Sequence, residues 1–272
     1  MIEVKEYYEG IPLEGFIAGM PDHVYHSTDA ISKSGLDRIE KSPAHYNFPM
    51  KSTPAMQMGT LLHCMVLEPD KFRDYEIVAG DRRGKEYKQA AADIGAEFVI
   101  LTQDYLRLLA MAEAVRSSHP SADLIQVDGY RELSGFATDP ETGLTVRCRY
   151  DILGNSIAID LKKTRDATAR GFEKSILGFR YHVQAALYSD VFSWITGRPL
   201  QEFWFVAVEE SEPYTCAAYY LDDFALEAGR YAYRRNLNTY AECKKSGEWP
   251  KYEPESNILS LPAWVTDELE IT

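Results

Sequence analysis

The spacing of hydrophobic residues changes in the middle of this 272-residue chain, and this change constrains the fold more than any other feature. Hydrophobic residues occupy every second position from Leu144 to Ile152, with polar residues between them, which is typical of a half-buried strand. The pair Gly154-Asn155 then predicts a tight turn into a further strand at 156–162. A strand is also predicted at 131–138, followed by a turn at 139–143. The centre of the chain is therefore predicted to be a β-meander.

Helical patterns flank this meander on both sides. They cover 32–39, 54–67 and 102–115 before it and 167–177, 181–195 and 222–245 after it, with strands at 201–209 and 214–221. The charged segment 80–95 predicts a mobile loop that leads into a helix. We predict a mixed α/β fold, with one central mixed sheet flanked by helices, in a single domain that spans 1–272. Residues 1–25 form a predicted N-terminal extension and 250–272 a predicted tail.

Composition excludes several classes of protein. No run of about 18 apolar residues occurs, so no membrane span is predicted. The first ten residues are too charged for a signal peptide, so we expect a cytoplasmic protein. The four cysteines are scattered and form no Cys-x-x-Cys pair, which gives no support for a zinc ribbon or an iron–sulfur cluster.

The net charge of −13 argues against nucleic-acid binding, because DNA binding neutralises phosphates with basic residues. A net charge is an average over the whole surface, however, and a basic cleft can lie within an acidic exterior. A site that binds divalent cations also needs carboxylates. The charge therefore lowers the expectation of DNA binding without excluding it.

The meander brings charged residues together. Asp160 and Lys162 are two positions apart in one strand, so they project to the same side. If Gly154-Asn155 is a two-residue turn, Asp151 lies opposite Ala158 and diagonal to Asp160, roughly 7–8 Å away. Two carboxylates at that separation can bind one Mg²⁺ or Mn²⁺ ion. A nearby lysine could orient or deprotonate an attacking water, or stabilise a pentavalent phosphate.

The alternative is an exposed hairpin with salt bridges between its strands, since charged strand faces are usually solvated. Arg147 and Arg149 could pair with Asp160 in such a hairpin. His63, in the middle of an apolar helix, is by itself more typical of a core histidine than of a metal ligand. Gln184 and Tyr188, four residues apart on the following helix, would normally be packing residues.

Taken in order, these residues resemble the PDDEXK nuclease superfamily in its RecB-like branch, and within it the RecE-type nuclease domain, exodeoxyribonuclease VIII. The resemblance extends over roughly 25–264 and rests on motifs that are specific only in combination. They are Ile31-Ser32-Lys33-Ser34-Gly35-Leu36, Ser42-Pro43-Ala44-His45-Tyr46, Gly59-Thr60-Leu61-Leu62-His63, Asp139-Pro140-Glu141-Thr142-Gly143, Asp160-Leu161-Lys162 and the Gln184-x-x-x-Tyr188 helix.

The resemblance implies a role for each of these site residues. The expected metal ligands are His63, Asp151, Asp160 and the backbone carbonyl of Leu161. It implies that Lys162 holds the attacking water and that Glu132 supports the metal site. Gln184 and Tyr188 are expected to shape the wall of the site. His63 would bind metal as a neutral imidazole, so activity should fall at acid pH.

One position departs from the family pattern. Similar sequences commonly have Thr after the Asp-x-Lys motif, whereas this chain has Lys163 followed by Thr164. Lys163 projects to the opposite face of an ideal strand, so Lys162 is the expected catalytic lysine. A bulge at this point would exchange the two roles.

The resemblance also implies a function. We expect an ATP-independent exonuclease, dependent on Mg²⁺ or Mn²⁺, that digests one strand of linear duplex DNA from its 5′ end and leaves a 3′ single strand for recombination. A homo-oligomeric ring and a single-strand annealing protein as partner are implied with it. Basic residues expected to contact DNA are Lys33, Arg82, Arg83, Lys85, Arg147 and Arg149. The alternatives are an endonuclease or single-strand nuclease of the same superfamily, and a non-catalytic DNA-binding or assembly protein.

Overall fold

The computed structural model of the protein describes residues 1–48 and 51–252. Its strands are β1 (Val4–Glu6), β2 (Gly15–Ala18), β3 (Glu76–Val78), β4 (Val99–Leu101), β5 (Tyr130–Thr138), β6 (Thr145–Leu153), β7 (Ile157–Thr164), β8 (Glu202–Glu209) and β9 (Cys216–Tyr220). The helices are α1 (Asp22–Ser27), α2 (Lys33–Lys41), α3 (Pro43–Tyr46), α4 (Pro54–Leu67), α5 (Lys85–Ile94), α6 (Thr102–Ser117), α7 (Ser121–Ile125), α8 (Ala169–Gly178), α9 (Tyr181–Thr196) and α10 (Asp223–Ser246). Most of the predicted tail, from 253 onward, lies outside the described residues.

A mixed seven-stranded sheet forms the centre of the fold, in the order β1-β2-β5-β6-β7-β8-β9. The meander β5-β6-β7 is antiparallel, as its short turns require. Strand β8 pairs parallel to β7 through the α8–α9 crossover, and β1 pairs parallel to β2. The predicted mixed α/β fold with a central sheet is confirmed.

Helices cover both faces of this sheet. Successive residues of β8 show the two faces, because Phe205 and Ala207 pack into one hydrophobic cluster and Val206 and Val208 into the other. Helices α9 and α10 pack in the first cluster, and α4 and α6 in the second. None of the helices in the described ranges is both long and apolar enough to cross a membrane.

Local sequence signals set the ends of the helices that carry the site. Helix α4 begins at Pro54, whose missing N–H costs nothing at a first helical position, and the Thr53 hydroxyl accepts a hydrogen bond from the Met56 N–H. Helix α9 ends at Gly197, which adopts the left-handed conformation that suits a residue without a side chain. These ends match the predicted ones within two residues.

Several predictions about the N-terminal half need correction. The predicted N-terminal extension contributes β1 and β2 to the central sheet, because β2 pairs with β5. The predicted loop at 80–95 is helical over Lys85–Ile94. A separate two-stranded sheet, β3 with β4, was not predicted.

The predicted register of the β6–β7 hairpin is wrong. Leu153 pairs with Ala158, and the Gly154 N–H donates to the Ile157 carbonyl, so the two turn residues are Asn155 and Ser156. The register is shifted by two residues from the prediction. Asp151 therefore faces Asp160 directly across the two strands rather than along a diagonal.

Candidate active site

A cleft of about 820 Å³ opens beside the ends of β5, β6 and β7. Its walls combine basic and acidic side chains with polar residues of α2, α4 and α9. Seven of the predicted site residues line it, namely His63, Glu132, Asp151, Asp160, Lys162, Gln184 and Tyr188. The fold thus brings together residues that are up to 125 positions apart in the sequence.

Glu132 reaches the cleft through an unusual backbone conformation. Its φ angle is 48°, in the left-handed region that glutamate seldom adopts. The residues on either side keep regular pairing, since Arg131 pairs with Ile152 and Leu133 with Tyr150. Backbone strain confined to one residue of a central strand is typical of functional sites. Here it places the Glu132 carboxylate 3.9 Å from His63 Nδ1.

Asp151 lies where β6 and β7 separate. Their described pairing ends at Ile152–Ile159. Beyond it the Asp151 side chain replaces the backbone pairing, because its Oδ2 accepts a 2.7 Å hydrogen bond from the Leu161 N–H. The Leu161 carbonyl in turn accepts a 2.7 Å hydrogen bond from His63 Nε2. The Leu161 carbonyl oxygen, predicted as a metal ligand, is thus hydrogen-bonded to His63, which is also a predicted metal ligand.

His63 is held between carboxylates. Its Nδ1 lies 3.4 Å from Asp151 Oδ2. Burial lowers the pKa of His63, but the Asp151 and Glu132 carboxylates outweigh burial and raise that pKa to about 9. Without a metal ion the imidazole is therefore protonated at neutral pH, whereas the neutral form was predicted for the metal-bound state. A metal would have to displace this proton.

The pKa of Asp151 is also raised above its ordinary value. Burial raises its pKa most, the Asp160 and Glu132 carboxylates raise it further, and His63 opposes them, so that the pKa reaches about 7. An ionised carboxylate is thus unfavourable here unless a cation is close. A shift of this kind in a cleft is a mark of a functional residue.

Asp160 is fixed by two side chains. Its Oδ1 accepts a short hydrogen bond from Gln184 Nε2, and its Oδ2 forms an ion pair with Lys162 Nζ. The residue is 3% exposed. Although Lys162 lies beside it, Oδ2 accepts no hydrogen bond of normal geometry. The contact with Lys162 is therefore an ion pair, since charge attraction does not require that geometry, and Oδ2 keeps capacity for a further partner.

Lys162 is held above an aromatic ring. Its Nζ lies 4.8 Å from the centre of the Tyr181 ring, a cation–π distance. Burial lowers the pKa of Lys162, but Asp160 and Asp151 outweigh burial and the net shift is upward. The ammonium group therefore stays charged. The sequence did not single out Tyr181 as a site residue, although its position one turn before Gln184 on α9 was a signal for it.

Lys163 is directed away from the cleft. Its Nζ forms an ion pair with Glu210, whereas Ile159 and Leu161, which have the same parity in β7, pack in the hydrophobic core. The β7–β8 pairing continues without a bulge through Lys162 and Lys163. The exchange of roles that a bulge would have caused does not occur.

The six basic residues expected to contact DNA have different surroundings. Arg149 lines the cleft, where it is paired with Asp22, and Lys33 lines it as well. The Arg147 guanidinium is used internally, because it donates to the carbonyls of Tyr25 and Thr28. The other three, Arg82, Arg83 and Lys85, are exposed at the start of α5.

The residues present fit a divalent cation. Ligand atoms of His63, Glu132 and Asp151 all lie within 4.8 Å of one another. Oxygen and imidazole ligands of this kind suit Mg²⁺ or Mn²⁺. Asp151, buried among carboxylates that raise its pKa, would be stabilised by such a charge. Asp160, also predicted as a ligand, is not in this group, and its carboxylate contacts Gln184 and Lys162.

The fold is consistent with a PDDEXK-like domain. The model of the PDDEXK-like domain of unknown function DUF3799 matches residues 32–260, and the chain belongs to that family. The match includes every site residue named above. No curated protein sequence matches the chain.

A solved structure shares the fold at low sequence identity. A candidate exonuclease from Eubacterium rectale superposes with a TM-score of 0.63 at 13% identity, over 92% of this chain and 97% of that one. An alkaline exonuclease from Laribacter hongkongensis aligns over 82% of this chain and 95% of that one, at 14% identity and a TM-score of 0.31. The likeness to the Eubacterium rectale structure shows the same fold.

Proposed function

We propose that this chain is a metal-dependent nuclease that hydrolyses phosphodiester bonds of DNA. The observation that carries this proposal is the convergence of His63, Glu132 and Asp151 beside the Asp160–Lys162 pair in one open cleft. Membership of a PDDEXK-like family supports it. A hairpin stabilised only by surface salt bridges would leave these residues exposed, whereas Asp151 and Asp160 are 7% and 3% exposed.

His63, Glu132 and Asp151 would hold the metal ion. Once bound, the ion would supply the positive charge that polarises a phosphodiester and promotes attack by water. The cleft needs this charge, because most of its basic groups are already paired, as Arg149 is with Asp22. A phosphate would otherwise meet uncompensated carboxylates.

The chain's own residues then act through Lys162. Because Asp160 and Asp151 keep its ammonium group charged, Lys162 can donate hydrogen bonds to a phosphate oxygen as negative charge develops there. Asp160 and the Tyr181 ring fix the position of Nζ before substrate arrives, so little reorganisation is needed. Gln184 fixes Asp160 in turn. Lys162 therefore acts as an electrostatic group rather than as a base.

We further propose that the enzyme is an exonuclease of the RecE type, acting 5′ to 3′ on linear duplex DNA without ATP. Its resemblance to that family supports this, as it does a ring-shaped oligomer and a single-strand annealing protein as partner. A ring would direct basic residues inward, which is compatible with a net charge of −13.

The test is digestion of duplex DNA that carries a label at the 5′ or the 3′ end, with Mg²⁺ or Mn²⁺ and without ATP. We expect cleavage that stops with EDTA, early release of the 5′ label, and no cleavage of a closed circle. Cleavage of the circle would instead indicate an endonuclease, and early release of the 3′ label would overturn the RecE-type polarity.

Two lysine variants make this test specific. Lys162→Ala should reduce cleavage by roughly a hundredfold or more, the usual cost of losing an electrostatic catalyst. Lys163→Ala is the matched control, because it removes the same functional group from the next residue, which pairs with Glu210 outside the cleft. Equal activity of the two variants would contradict the proposed site.

A further inference from the structure

Two strongly exposed hydrophobic residues lie at the end of α8, and the second of them is linked to a residue of the cleft. Leu177, near the end of α8, is 65% exposed, and Phe179, just after it, is 63% exposed. Lys33, which lines the cleft, donates a 2.6 Å hydrogen bond to the Phe179 carbonyl. The Phe179 backbone is thus joined directly to the rim of the site.

Phe179, unlike Leu177, is the outer end of an aromatic stack that begins in the core. Its ring stacks on Tyr181 with centroids 5.6 Å apart and planes inclined by 25°. Tyr181 stacks in the same way on Phe205, which is fully buried, at 5.6 Å and 27°. The Lys162 ammonium lies 4.8 Å from the middle ring of this stack. The exposed Phe179 ring is therefore held in a fixed position and is connected to Lys162 through the Tyr181 ring.

The backbone at Phe179 is also fixed. Arg180, the next residue, has a φ of 55° and precedes the first turn of α9. Its guanidinium lies 3.2 Å from Asp37 and 3.4 Å from Glu40, both on α2. Because the ring and its backbone are held before any ligand arrives, a ligand that used the ring would lose little binding energy to ordering it.

We propose that Phe179 is a stacking platform for a nucleobase of the DNA strand whose phosphate enters the cleft. This inference rests on the proposed nuclease function and adds a substrate-binding residue to it. Proteins bind single-stranded DNA by stacking bases on exposed aromatic rings next to basic groups, and every base has a face that can stack. Phe179 supplies the ring, and Lys33 and Lys162 supply charge on the cleft side. The platform is expected to be tolerant of base sequence.

The test compares Phe179→Ala with Leu177→Ala. Leu177 is the matched control, because it is equally exposed and two residues away but has no place in the aromatic stack. On a fluorescently labelled oligonucleotide we expect Phe179→Ala to raise KM roughly tenfold with a small effect on kcat, since base stacking contributes mainly to binding. Leu177→Ala should leave both unchanged, and Phe179→Trp should retain the wild-type KM.

A second measurement detects the stacking itself. The probe is an oligonucleotide that carries the fluorescent base 2-aminopurine in its terminal segment. Binding of the Lys162→Ala variant should quench the 2-aminopurine fluorescence, and the double variant Lys162→Ala/Phe179→Ala should not quench it. If the wild type cleaves DNA and Phe179→Ala and Leu177→Ala have equal KM values, the platform alone is overturned. The same holds if Phe179→Ala changes only the oligomeric state. Absence of any DNA cleavage or binding by the wild type would overturn the proposed function and the platform together.

Discussion

The Asp151 carboxylate accepts a hydrogen bond from the backbone N–H of Leu161 at 2.7 Å. A side chain thereby replaces the backbone pairing that would otherwise continue the β6–β7 ladder. The same carboxylate faces His63 and is surrounded by Glu132 and Asp160. Asp151 thus closes the hairpin and contributes charge to the site, and these two roles can be separated by substitution.

Asp151→Asn should stabilise the metal-free protein by about 1 kcal/mol at pH 8. Asparagine keeps an oxygen that can accept the Leu161 N–H but carries no charge. The folded-state pKa of Asp151 is raised to about 7, so the wild type loses stability as pH rises from about 4 through 7. The advantage should therefore shrink at pH 5. Urea unfolding in EDTA at both pH values measures it, and a variant less stable than wild type at pH 8 would contradict the prediction.

Asp151→Ala provides the complementary control. It removes the charge and also the acceptor, so that the buried Leu161 N–H has no partner, at a cost of about 1–3 kcal/mol. We expect it to be less stable than Asp151→Asn under every condition. Neither variant should cleave DNA, since both lack a proposed metal ligand.

Metal affinity should rise with pH. In the metal-free protein the pKa of Asp151 is raised to about 7 and that of His63 to about 9, so a metal must displace protons between pH 6 and 9. Mg²⁺ or Mn²⁺ affinity should increase by up to roughly tenfold per pH unit for each displaced proton, so the rise should be steeper below pH 7, where both groups are protonated. Calorimetric titration in two buffers with different ionisation enthalpies counts the released protons. Proton uptake, or affinity independent of pH, would refute the proposed ligand set.

Glu132→Gly should be more stable than Glu132→Ala. Position 132 has a φ of 48°, which glycine adopts without strain and alanine does not. We expect a difference of about 1 kcal/mol in the free energy of unfolding of the metal-free proteins. Both variants lack the carboxylate and should bind metal more weakly than wild type. Equal stability of the two would show that the backbone is not strained at this position.

Gln184→Met should impair catalysis more than folding. Methionine has nearly the same volume as glutamine but donates no hydrogen bond to Asp160, so Asp160 and with it Lys162 should be less well positioned. Residues that orient an active-site group in this way typically contribute 10- to 100-fold, so we expect kcat to fall by roughly that factor. Gln89→Met is the control, because the Gln89 amide donates its hydrogen bonds to Asp93 on the exposed surface. A kcat equal to that of the control would argue against the positioning role.

Strands β5 to β9 and the longer helices were predicted well from the sequence, for a physical reason. The two-residue period of β6 and β7 and the helical period of α4 and α9 are set by burial, which the sequence records directly. The same period placed Asp160 and Lys162 together in the cleft and Lys163 outside it. Features that depend on the two-residue period of strands or on helix ends could therefore be predicted from the sequence.

Other features left no comparable signal. Strands β3 and β4 have three residues each, too few to show a period. The predicted β6–β7 register was wrong because Asn155-Ser156, rather than Gly154-Asn155, forms the turn. The position of the turn alone sets which residues of the two strands pair. The left-handed backbone of Glu132 could not be anticipated, since glutamate does not favour it.

The strain at Glu132 has a consequence for how this fold can change over generations of mutation. A glycine at that position relieves the backbone and removes a carboxylate in one step. Selection for stability therefore favours the change, and only selection for metal binding opposes it. We expect the residue at this one place in β5 to show, from sequence alone, whether a domain of this kind has given up its chemistry and survives as a scaffold.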